Sequence, residues 1–217
     1  MLTDQDKPPR GVFVTGTDTE VGKTFFSSKR LRELRAHGLH VGAYKPAASG
    51  APSIQDSDAY HLWSAIGKVH SIDWVNPQSF AAPLAPPIAA ELEGKTIDDQ
   101  LIFDGVRRWR GYCDFLLVEG AGGLLSPISW QLTNADIARQ IGYPLWILAP
   151  NRLGVVHQIL ATVSVAIQHG LAVEEVVLND VHPTSNDEAA QNNQRLLAPF
   201  LKRLSPETTL RRSLFQG

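Results

Sequence analysis

The chain has 217 residues, of which 43% are apolar and 19% are charged, and its formal net charge is -2. This length and composition fit one domain with a sizeable core and argue against compositional disorder. The near-neutral charge gives no support for nucleic acid or an anionic membrane as a partner. The only cysteine is Cys113, which excludes an intramolecular disulfide framework and a zinc cluster built on several thiolates.

The first ten residues are polar and lack the apolar stretch of a signal peptide. We expect residues 1–10 to form a flexible N-terminal segment and residues 11–217 to form one domain. No apolar run approaches the roughly 20 residues that a membrane span needs. The expected location is therefore the cytoplasm.

Short apolar runs alternate with longer amphipathic runs along the chain. Such an alternation predicts a parallel sheet wrapped by helices, and strands that are apolar throughout are typical of a sheet covered on both faces. We predict a single-domain, three-layer α/β fold with a mostly parallel sheet and helices on both faces. Strands are predicted at 11–15, 40–45, 115–118, 145–149 and 175–178, and helices at 24–37, 56–66, 97–109, 134–141, 155–169 and 187–204.

A glycine-rich turn joins the first predicted strand to the first predicted helix and ends in Gly22-Lys23-Thr24. Such a turn aims backbone N–H groups at a phosphate, and the helix N-terminus adds its positive dipole end. Five residues separate Gly16 from Gly22, whereas the common phosphate loop has four, and its lysine reaches the terminal phosphates. A nucleotide-phosphate site is predicted at Gly16, Thr17, Asp18, Thr19, Glu20, Val21, Gly22, Lys23 and Thr24.

Three polar residues, Lys45, Asp58 and Glu119, lie near the carboxyl ends of predicted strands. Ligands bind at these ends in open parallel sheets, so we expect the three residues beside the phosphate loop. Asp58 and Glu119 are predicted to hold Mg²⁺ with Thr24, because Mg²⁺ prefers oxygen ligands and shares them with phosphates. Lys45 is predicted to neutralise a second anion. Simpler alternatives are a solvated strand end, a helix cap and a surface acid, but together the residues indicate phosphoryl transfer.

A proline-rich stretch follows, with Pro83, Pro86 and Pro87 inside residues 80–87. Its composition predicts a rigid irregular segment, because proline fixes the backbone and removes a donor. A surface loop and a wall of the substrate site are both compatible with it, and the sequence leaves the two open.

Five motifs, in chain order, resemble the dethiobiotin synthetase family of biotin biosynthesis. The resemblance extends from about residue 11 to residue 182 and includes the five-residue spacing of the loop. It implies a P-loop fold, ATP and Mg²⁺ as cofactors, and a homodimer with the substrate site at the subunit interface. The motifs are Gly-Thr-Asp-Thr-Glu-Val-Gly-Lys-Thr (16–24), Tyr-Lys-Pro-Ala-Ala-Ser-Gly (44–50), Ser-Asp-Ala (57–59), Val-Glu-Gly-Ala-Gly-Gly (118–123) and Asn-Asp-Val (179–181).

The family's reaction uses 7,8-diaminononanoate, CO₂ and ATP. CO₂ forms a carbamate on one amine, ATP phosphorylates the carbamate, and the second amine closes the cyclic urea and releases phosphate. The resemblance implies that Lys23 bridges the ATP phosphates and the carbamate, and that Lys45 stabilises the carbamate and the mixed anhydride. Thr19 and Ser49 are implied to orient these groups, so the four residues are the expected catalytic residues.

Further binding roles follow from the same resemblance. Glu20 corresponds to the family's loop acid near the nucleotide, and Asn179 to its adenine reader, although Asn179 is also compatible with a turn that ends a strand. Gly122 is implied to offer a backbone N–H to the substrate. A dimer contact is implied to bind the substrate carboxylate through backbone donors at a helix start, namely Gly154, Val155 and Val156.

The sequence departs from the family pattern at two places. His157 and Gln158 stand where the family usually has an Asn-His pair, which concerns recognition of the substrate carboxylate. The usual Gly-x-Ile-Pro segment of the base pocket is not visible in residues 202–212, which concerns selectivity for the nucleotide base.

Three alternative functions remain compatible with the sequence. The first is a related P-loop amide-forming ligase or amidotransferase with another substrate, against which Lys45 and Ser49 argue. The second is a nucleotide-dependent switch or partitioning protein, but such proteins usually carry a second lysine where this chain has Asp18. The third is a divergent family member with an altered substrate, which the two departures motivate.

Overall fold

The computed structural model describes residues 9–183 and 187–214. The strands are β1 (Arg10–Gly16), β2 (Val41–Tyr44), β3 (Ala48–Ser49), β4 (Ser79–Phe80), β5 (Phe115–Gly123), β6 (Leu145–Pro150), β7 (Val173–Asn179) and β8 (Thr209–Ser213). The helices are α1 (Lys23–Ala36), α2 (Asp58–Ala65), α3 (Ile72–Val75), α4 (Pro86–Leu92), α5 (Asp99–Arg108), α6 (Asn134–Ile141), α7 (Val155–Gln168) and α8 (Glu188–Leu204).

Six strands form the main sheet in the order β2-β5-β1-β6-β7-β8. Every neighbouring pair in it is parallel, so the carboxyl ends of all six strands lie at one edge. This edge is where ligands bind in open parallel sheets. The predicted α/β fold with a parallel sheet is therefore confirmed.

The core lies on both faces of this sheet. All six residues of β6 are buried, and successive residues of a strand point to opposite faces, so both faces are covered. Helix α1 packs against β1, β2 and β5, and α7 packs against β6 and β7. No helix in residues 9–183 or 187–214 is long and apolar enough to cross a membrane.

The sixth strand of the main sheet, β8, was not predicted. Its sequence contains two adjacent arginines and it lies at the sheet edge, so it has no apolar strand pattern. The arginines are matched to acids of β7 and the loop after it: Arg211 Nε donates to Glu175 Oε1 at 2.5 Å, and Arg212 Nε donates to Asp180 Oδ2 at 3.0 Å. The side chains of β8 thus form ion pairs with neighbouring acids, and the strand lacks the apolar run from which the other strands were predicted.

The predicted short strand at 115–118 is also longer in the structure, where β5 continues to Gly123. Pairing with β1 runs from Arg10 with Phe115 to Gly16 with Gly123, with a register shift between Val14 and Gly16. Backbone pairing therefore carries the strand through Glu119 and the glycines that end its apolar run.

The proline-rich stretch contains more regular structure than was predicted. Strands β3 and β4 form a separate parallel pair, and α4 begins at Pro86, with prolines in its first two positions. Proline is tolerated there because the first N–H groups of a helix have no intrahelical acceptor. The prediction of an irregular segment over residues 80–87 is therefore wrong for Pro86 and Pro87.

The N-terminal boundary was predicted at residue 11. Residues 1–8 of the predicted flexible segment lie outside the described residues. Arg10 already belongs to β1, and the Tyr143 hydroxyl donates to the Pro9 carbonyl at 2.8 Å. The predicted segment is thus too long at its carboxyl end, because Pro9 and Arg10 are held by the domain.

Candidate active site

A cleft of about 840 Å³ opens at the carboxyl edge of the sheet. It brings together the phosphate loop, the end of β2, the start of α2 and the turn after β5. Half of the sequence-predicted site residues lie on its walls. These lining residues are Thr19, Glu20, Gly22, Lys23, Thr24, Lys45, Ser49, Asp58 and Gly122.

The phosphate loop has a backbone that only a few residue types adopt easily. Glu20 and Gly22 have positive φ angles of 55° and 82°, in the left-handed region that favours glycine. A Cβ atom at Gly22 would lie 2.4 Å from Asn179 Nδ2. That Nδ2 donates to the Val21 carbonyl at 2.9 Å, so the loop needs glycine at position 22 both for its conformation and for space.

Lys23 folds back across this loop instead of pairing with an acid. Its Nζ donates to the Asp18 carbonyl at 3.4 Å, and the residue is 8% exposed. Burial, followed by the charge of Lys45, lowers the pKa of Lys23. A buried ammonium that makes a single long hydrogen bond to the described residues favours the binding of an anion such as a phosphate.

Beside the loop, four side chains form a compact polar cluster. The Thr24 hydroxyl lies 2.7 Å from both Asp58 Oδ1 and Glu119 Oε1. Lys45 Nζ donates to Glu119 Oε1 at 2.9 Å and also contacts Asp58 Oδ2. Lys45 is 3% exposed and Glu119 is fully buried. The structure therefore brings together the three predicted Mg²⁺ ligands and the predicted second lysine.

The charges in this cluster support one another. Burial alone would lower the pKa of Lys45, but Glu119 and Asp58 raise it above its ordinary value. Burial opposes ionisation of Asp58, yet the Lys45 charge and hydrogen bonds from Lys45 and Thr24 hold its pKa below the ordinary value. Lys45 is thus charged and Asp58 ionised at neutral pH.

The residues of the cluster fit Mg²⁺. Glu119 Oε2 is buried and has no hydrogen-bond partner within the described part of the chain, which is costly unless a ligand arrives. Thr24, Asp58 and Glu119 offer only oxygen atoms, which Mg²⁺ prefers, and Mg²⁺ takes its remaining ligands from phosphates and water. Residues 9–183 and 187–214 contain no group of three His, Cys, Asp or Glu residues that could hold a metal ion.

The opposite wall of the cleft comes from the β3 end and the proline-rich stretch. Ser49 Oγ donates to the Leu84 carbonyl at 2.6 Å, and Gly50 N donates to Phe80 O at 3.0 Å. Pro83, Leu84, Ala85 and Pro86 line the cleft. Of the two interpretations left open for this stretch, the structure supports the wall of the site.

Other predicted residues lie off the cleft walls. Asn179 is buried and contacts the back of the phosphate loop. Gly154 is exposed, has a φ of 90° and caps α7, and Leu153 before it is 83% exposed. The remaining predicted residues not among those lining the cleft are Gly16, Thr17, Asp18, Val21, Glu119, Val155 and Val156.

Sequence reasoning missed several residues of the cleft and its support. Phe25, Ser126 and Pro127 line the cleft. Asn134 contacts the irregular end of β5, Ala121–Gly123, which we call the glycine turn. The signal for Asn134 was present, because Thr133 and the acid three residues later mark a helix start. Its contact with the turn was not, because it joins residues 11 and 13 positions apart in the chain.

A second polar cluster lies at the ends of β6, β7 and β8. Asn151 Nδ2 donates to Asp180 Oδ1 at 2.6 Å and to Ala190 O at 3.0 Å, while Asn151 Oδ1 accepts from Asn193 Nδ2 at 2.9 Å. Arg212 forms an ion pair with Asp180 on the other side. This network joins the carboxyl ends of the strands to α8 next to Asn179.

The parallel sheet, the left-handed phosphate loop and the lysine at the start of α1 define a P-loop nucleotide-binding protein. A family model described as an AAA domain matches residues 10–212. The hydrogenase maturation factor HypB from Archaeoglobus fulgidus has a TM-score of 0.50 and is 15% identical. That comparison covers 95% of this chain and 81% of the other, and it bears on the fold alone.

Curated relatives identify the branch of this class. The ATP-dependent dethiobiotin synthetase BioD of Rhodopirellula baltica is 40% identical over 83% of this chain and 76% of its own length. The proteins of that name from Anaeromyxobacter sp. (strain K) and Serratia marcescens are 41% and 39% identical, over 84% and 78% of this chain and 82% and 76% of theirs. The chain belongs to the dethiobiotin synthetase family.

Proposed function

We propose that the chain is an ATP-dependent dethiobiotin synthetase. It would convert 7,8-diaminononanoate, CO₂ and ATP into dethiobiotin, ADP and phosphate. The observation that carries this proposal is the single cleft in which the phosphate loop, Lys23 and Lys45 lie beside Ser49 and Gly122. A nucleotide and a second anionic substrate can meet there.

The two lysines match the charges that this reaction develops. A carbamate oxygen attacks the γ-phosphorus of ATP, and the bond from that phosphorus to ADP breaks. The second amine then attacks the carbonyl carbon, loses its proton and expels phosphate as the C–O bond breaks. Lys23 would bind the phosphates and Lys45 the carbamate and mixed anhydride, because phosphoryl transfer depends mainly on positioning and charge stabilisation.

Polar groups on the cleft walls would orient the diamine. Ser49 Oγ donates a hydrogen bond to the Leu84 carbonyl, so its lone pairs are available to accept from an N–H of the substrate. Thr19, which belongs to the phosphate loop, is exposed and also lines the cleft. Gly122 would add a backbone N–H. These three contacts would hold the substrate close to the position in which the ring closes.

Mg²⁺ is proposed at Thr24, Asp58 and Glu119. When bound, it would supply positive charge against the ATP phosphates. The support is the buried Oε2 of Glu119, which has no hydrogen-bond partner in residues 9–183 and 187–214 and lies beside two further oxygen ligands.

Asn179 is proposed to contact the adenine. Its Nδ2 is occupied by the Val21 carbonyl, which leaves Oδ1 as an acceptor for the adenine amino group. The same contact would couple base binding to the phosphate loop, because one side chain touches both.

The active form is proposed to be a cytoplasmic homodimer. Gly154, Val155 and Val156 of a second copy are the residues proposed to contact the substrate carboxylate at the start of α7. The Val155 N–H already donates to the Arg152 carbonyl at 3.2 Å, so the backbone donors would come from Gly154 and Val156. Exposed apolar side chains support an interface, since Leu153, Trp130 and Leu125 are 83%, 65% and 50% exposed. Sedimentation analysis should give twice the mass of the chain, and a monomer that remains fully active would contradict the dimer.

The activity is tested with purified protein, 7,8-diaminononanoate, bicarbonate, MgCl₂ and ATP. We expect a cyclic urea product, detected by mass spectrometry, together with one ADP per product. ATP hydrolysis that is independent of the diamine, without a urea product, would contradict the proposal and favour a switch protein or a ligase for another substrate. The matched control omits only the diamine.

A further inference from the structure

The turn after Glu119 is held from behind by one buried amide. Asn134 is fully buried and begins α6. Its Nδ2 donates to the carbonyls of Ala121 and Gly123, each at 2.7 Å. These two carbonyls flank Gly122, which lines the cleft. The peptide group before the cleft-lining glycine and the carbonyl of the residue after it are therefore held by the same side chain.

The contact sets the direction of the Gly122 N–H. In a trans peptide the N–H points opposite to the carbonyl of the same peptide group, and the described residues contain no cis peptide bond. Because the Ala121 carbonyl faces Asn134 behind the turn, the Gly122 N–H faces the other way. Gly123 N instead donates to Ser126 Oγ at 2.9 Å. The Gly122 N–H thus points away from Asn134, and Gly122 is the residue of this turn, with Ala121, that lines the cleft.

Asn134 is itself firmly held. It follows Thr133, whose side chain and that of Asp136 form a reciprocal capping box at the start of α6. A Cβ atom at Gly120 would lie 2.3 Å from Asn134 Oδ1, so the strand leaves just enough room for the amide. Asn134 Oδ1 is buried and has no hydrogen-bond partner among the described residues. The site thus tolerates an unpaired acceptor in order to place the two N–H donors.

We propose that Asn134 is a positioning residue that fixes the turn at Ala121–Gly123 and directs the Gly122 N–H toward the carbamate of the diamine substrate. The inference rests on the proposed function, since it takes the diamine as the ligand of this N–H. Asn134 does not touch the substrate, and it acts only through the turn.

The test is the steady-state kinetics of Asn134→Leu and Asn134→Ala. Loss of one oriented hydrogen bond should raise the KM for 7,8-diaminononanoate about tenfold, while the KM for ATP and kcat change less than about twofold. Thr208→Val is the matched control, because it removes a donation of 2.7 Å to the Val173 carbonyl at the far end of the sheet. It should lower Tm without changing either KM.

A failure of this inference can be distinguished from a failure of the proposed function. If the wild-type protein forms the urea but the Asn134 variants keep its KM for the diamine and lose only Tm, Asn134 is a structural residue and the inference is wrong. If the wild type forms no urea, the proposed function fails and the inference fails with it.

A measurement on the wild-type protein tests the inference even if the Asn134 variants do not fold. Amide hydrogen exchange at Gly122, followed by NMR, should slow when diamine and bicarbonate are added, because the N–H gains an acceptor. The Gly123 amide, already bonded to Ser126, should change little. Equal exchange at Gly122 with and without substrate would overturn the inference.

Discussion

The two polar clusters at the carboxyl edge of the sheet differ in how fully their groups are paired. At the phosphate end, Lys45 and Thr24 share the oxygens of Asp58 and Glu119, and Glu119 Oε2 has no partner within the described residues. At the other end, Asn151 bonds to Asp180, Ala190 and Asn193. The cluster at the phosphate end thus has an acceptor oxygen that a ligand can use, whereas the hydrogen bonds of the Asn151 cluster join the strands to helix α8.

This contrast separates ligand binding from support. Buried polar groups are almost always hydrogen-bonded in folded proteins, so an unpaired carboxylate oxygen indicates a position that a ligand completes. A network in which side chains bond to each other and to the backbone fixes the structure instead. We therefore expect substitutions at the phosphate end to change activity and metal binding, and substitutions at the far end to change stability.

The largest effect is expected for Lys45→Met. Removal of the ammonium leaves Glu119 buried without its counter-ion, which should lower the free energy of unfolding by about 3 kcal/mol. Loss of the charge at the carbamate should lower kcat/KM for urea formation about a hundredfold to a thousandfold. Urea denaturation and the product assay measure the two effects, while the Kd of ATP should stay within a few-fold.

Mg²⁺ provides a further check on Lys45→Met. It should raise Tm more in the variant than in the wild type, since it restores positive charge beside the carboxylates. Lys95→Met, in an exposed pair with Glu93, is the control and should leave activity and Tm unchanged. Full activity in Lys45→Met would show that our role for this lysine is wrong.

The next effect is expected for Glu119→Gln, which replaces the unpaired oxygen and removes one negative charge. The affinity for Mg²⁺, measured by calorimetry in the presence of an unreactive ATP analogue, should fall about tenfold or more, because ligand charge tunes the affinity. Glu175→Gln is the control: Glu175 is also a buried strand glutamate, but it pairs with Arg211 away from the cleft. Equal Kd values in all three proteins would contradict the proposed metal site.

At the far end, Asn151→Leu should lower the free energy of unfolding by about 2 kcal/mol, since it leaves Asp180 and Asn193 with fewer partners. The expected kcat for urea formation is that of the wild type. Chemical denaturation and the product assay measure the two quantities. A loss of kcat as large as that of Lys45→Met would remove the distinction between the two ends.

The smallest effect on catalysis and on stability at neutral pH is expected at Cys113, which lies in neither cluster. Burial, and then the nearby Asp114, raises the pKa of the Cys113 thiol to about 12. At pH 8 iodoacetamide should therefore modify the native protein more than about a hundredfold more slowly than the unfolded chain, whose thiol has an ordinary pKa of about 8.5. The unfolded chain loses this proton first, so Cys113 disfavours the folded state only above about pH 8.5. Rapid modification of the native protein at pH 8 would contradict this expectation.

Local sequence determined much of the fold and the phosphate end. Apolar runs predicted five of the six main-sheet strands, because a strand covered on both faces must be apolar along its length. Gly22, Lys23 and Thr24 were visible for a similar reason, since a phosphate loop is encoded by consecutive residues. Lys45 and Glu119 could be added because the carboxyl ends of parallel strands meet at one edge.

The tertiary structure alone decided the pairings over long sequence distances. Strand β8 was hidden because backbone pairing with β7 attaches it to the sheet, and its side chains include Arg211 and Arg212, which form ion pairs and give no apolar pattern. The hydrogen bonds of Asn134 to the glycine turn and of Asn179 to Val21 leave no periodic signal either. Chemistry carried by neighbouring residues can be read from the chain, whereas support that depends on which residues the fold brings together requires the structure.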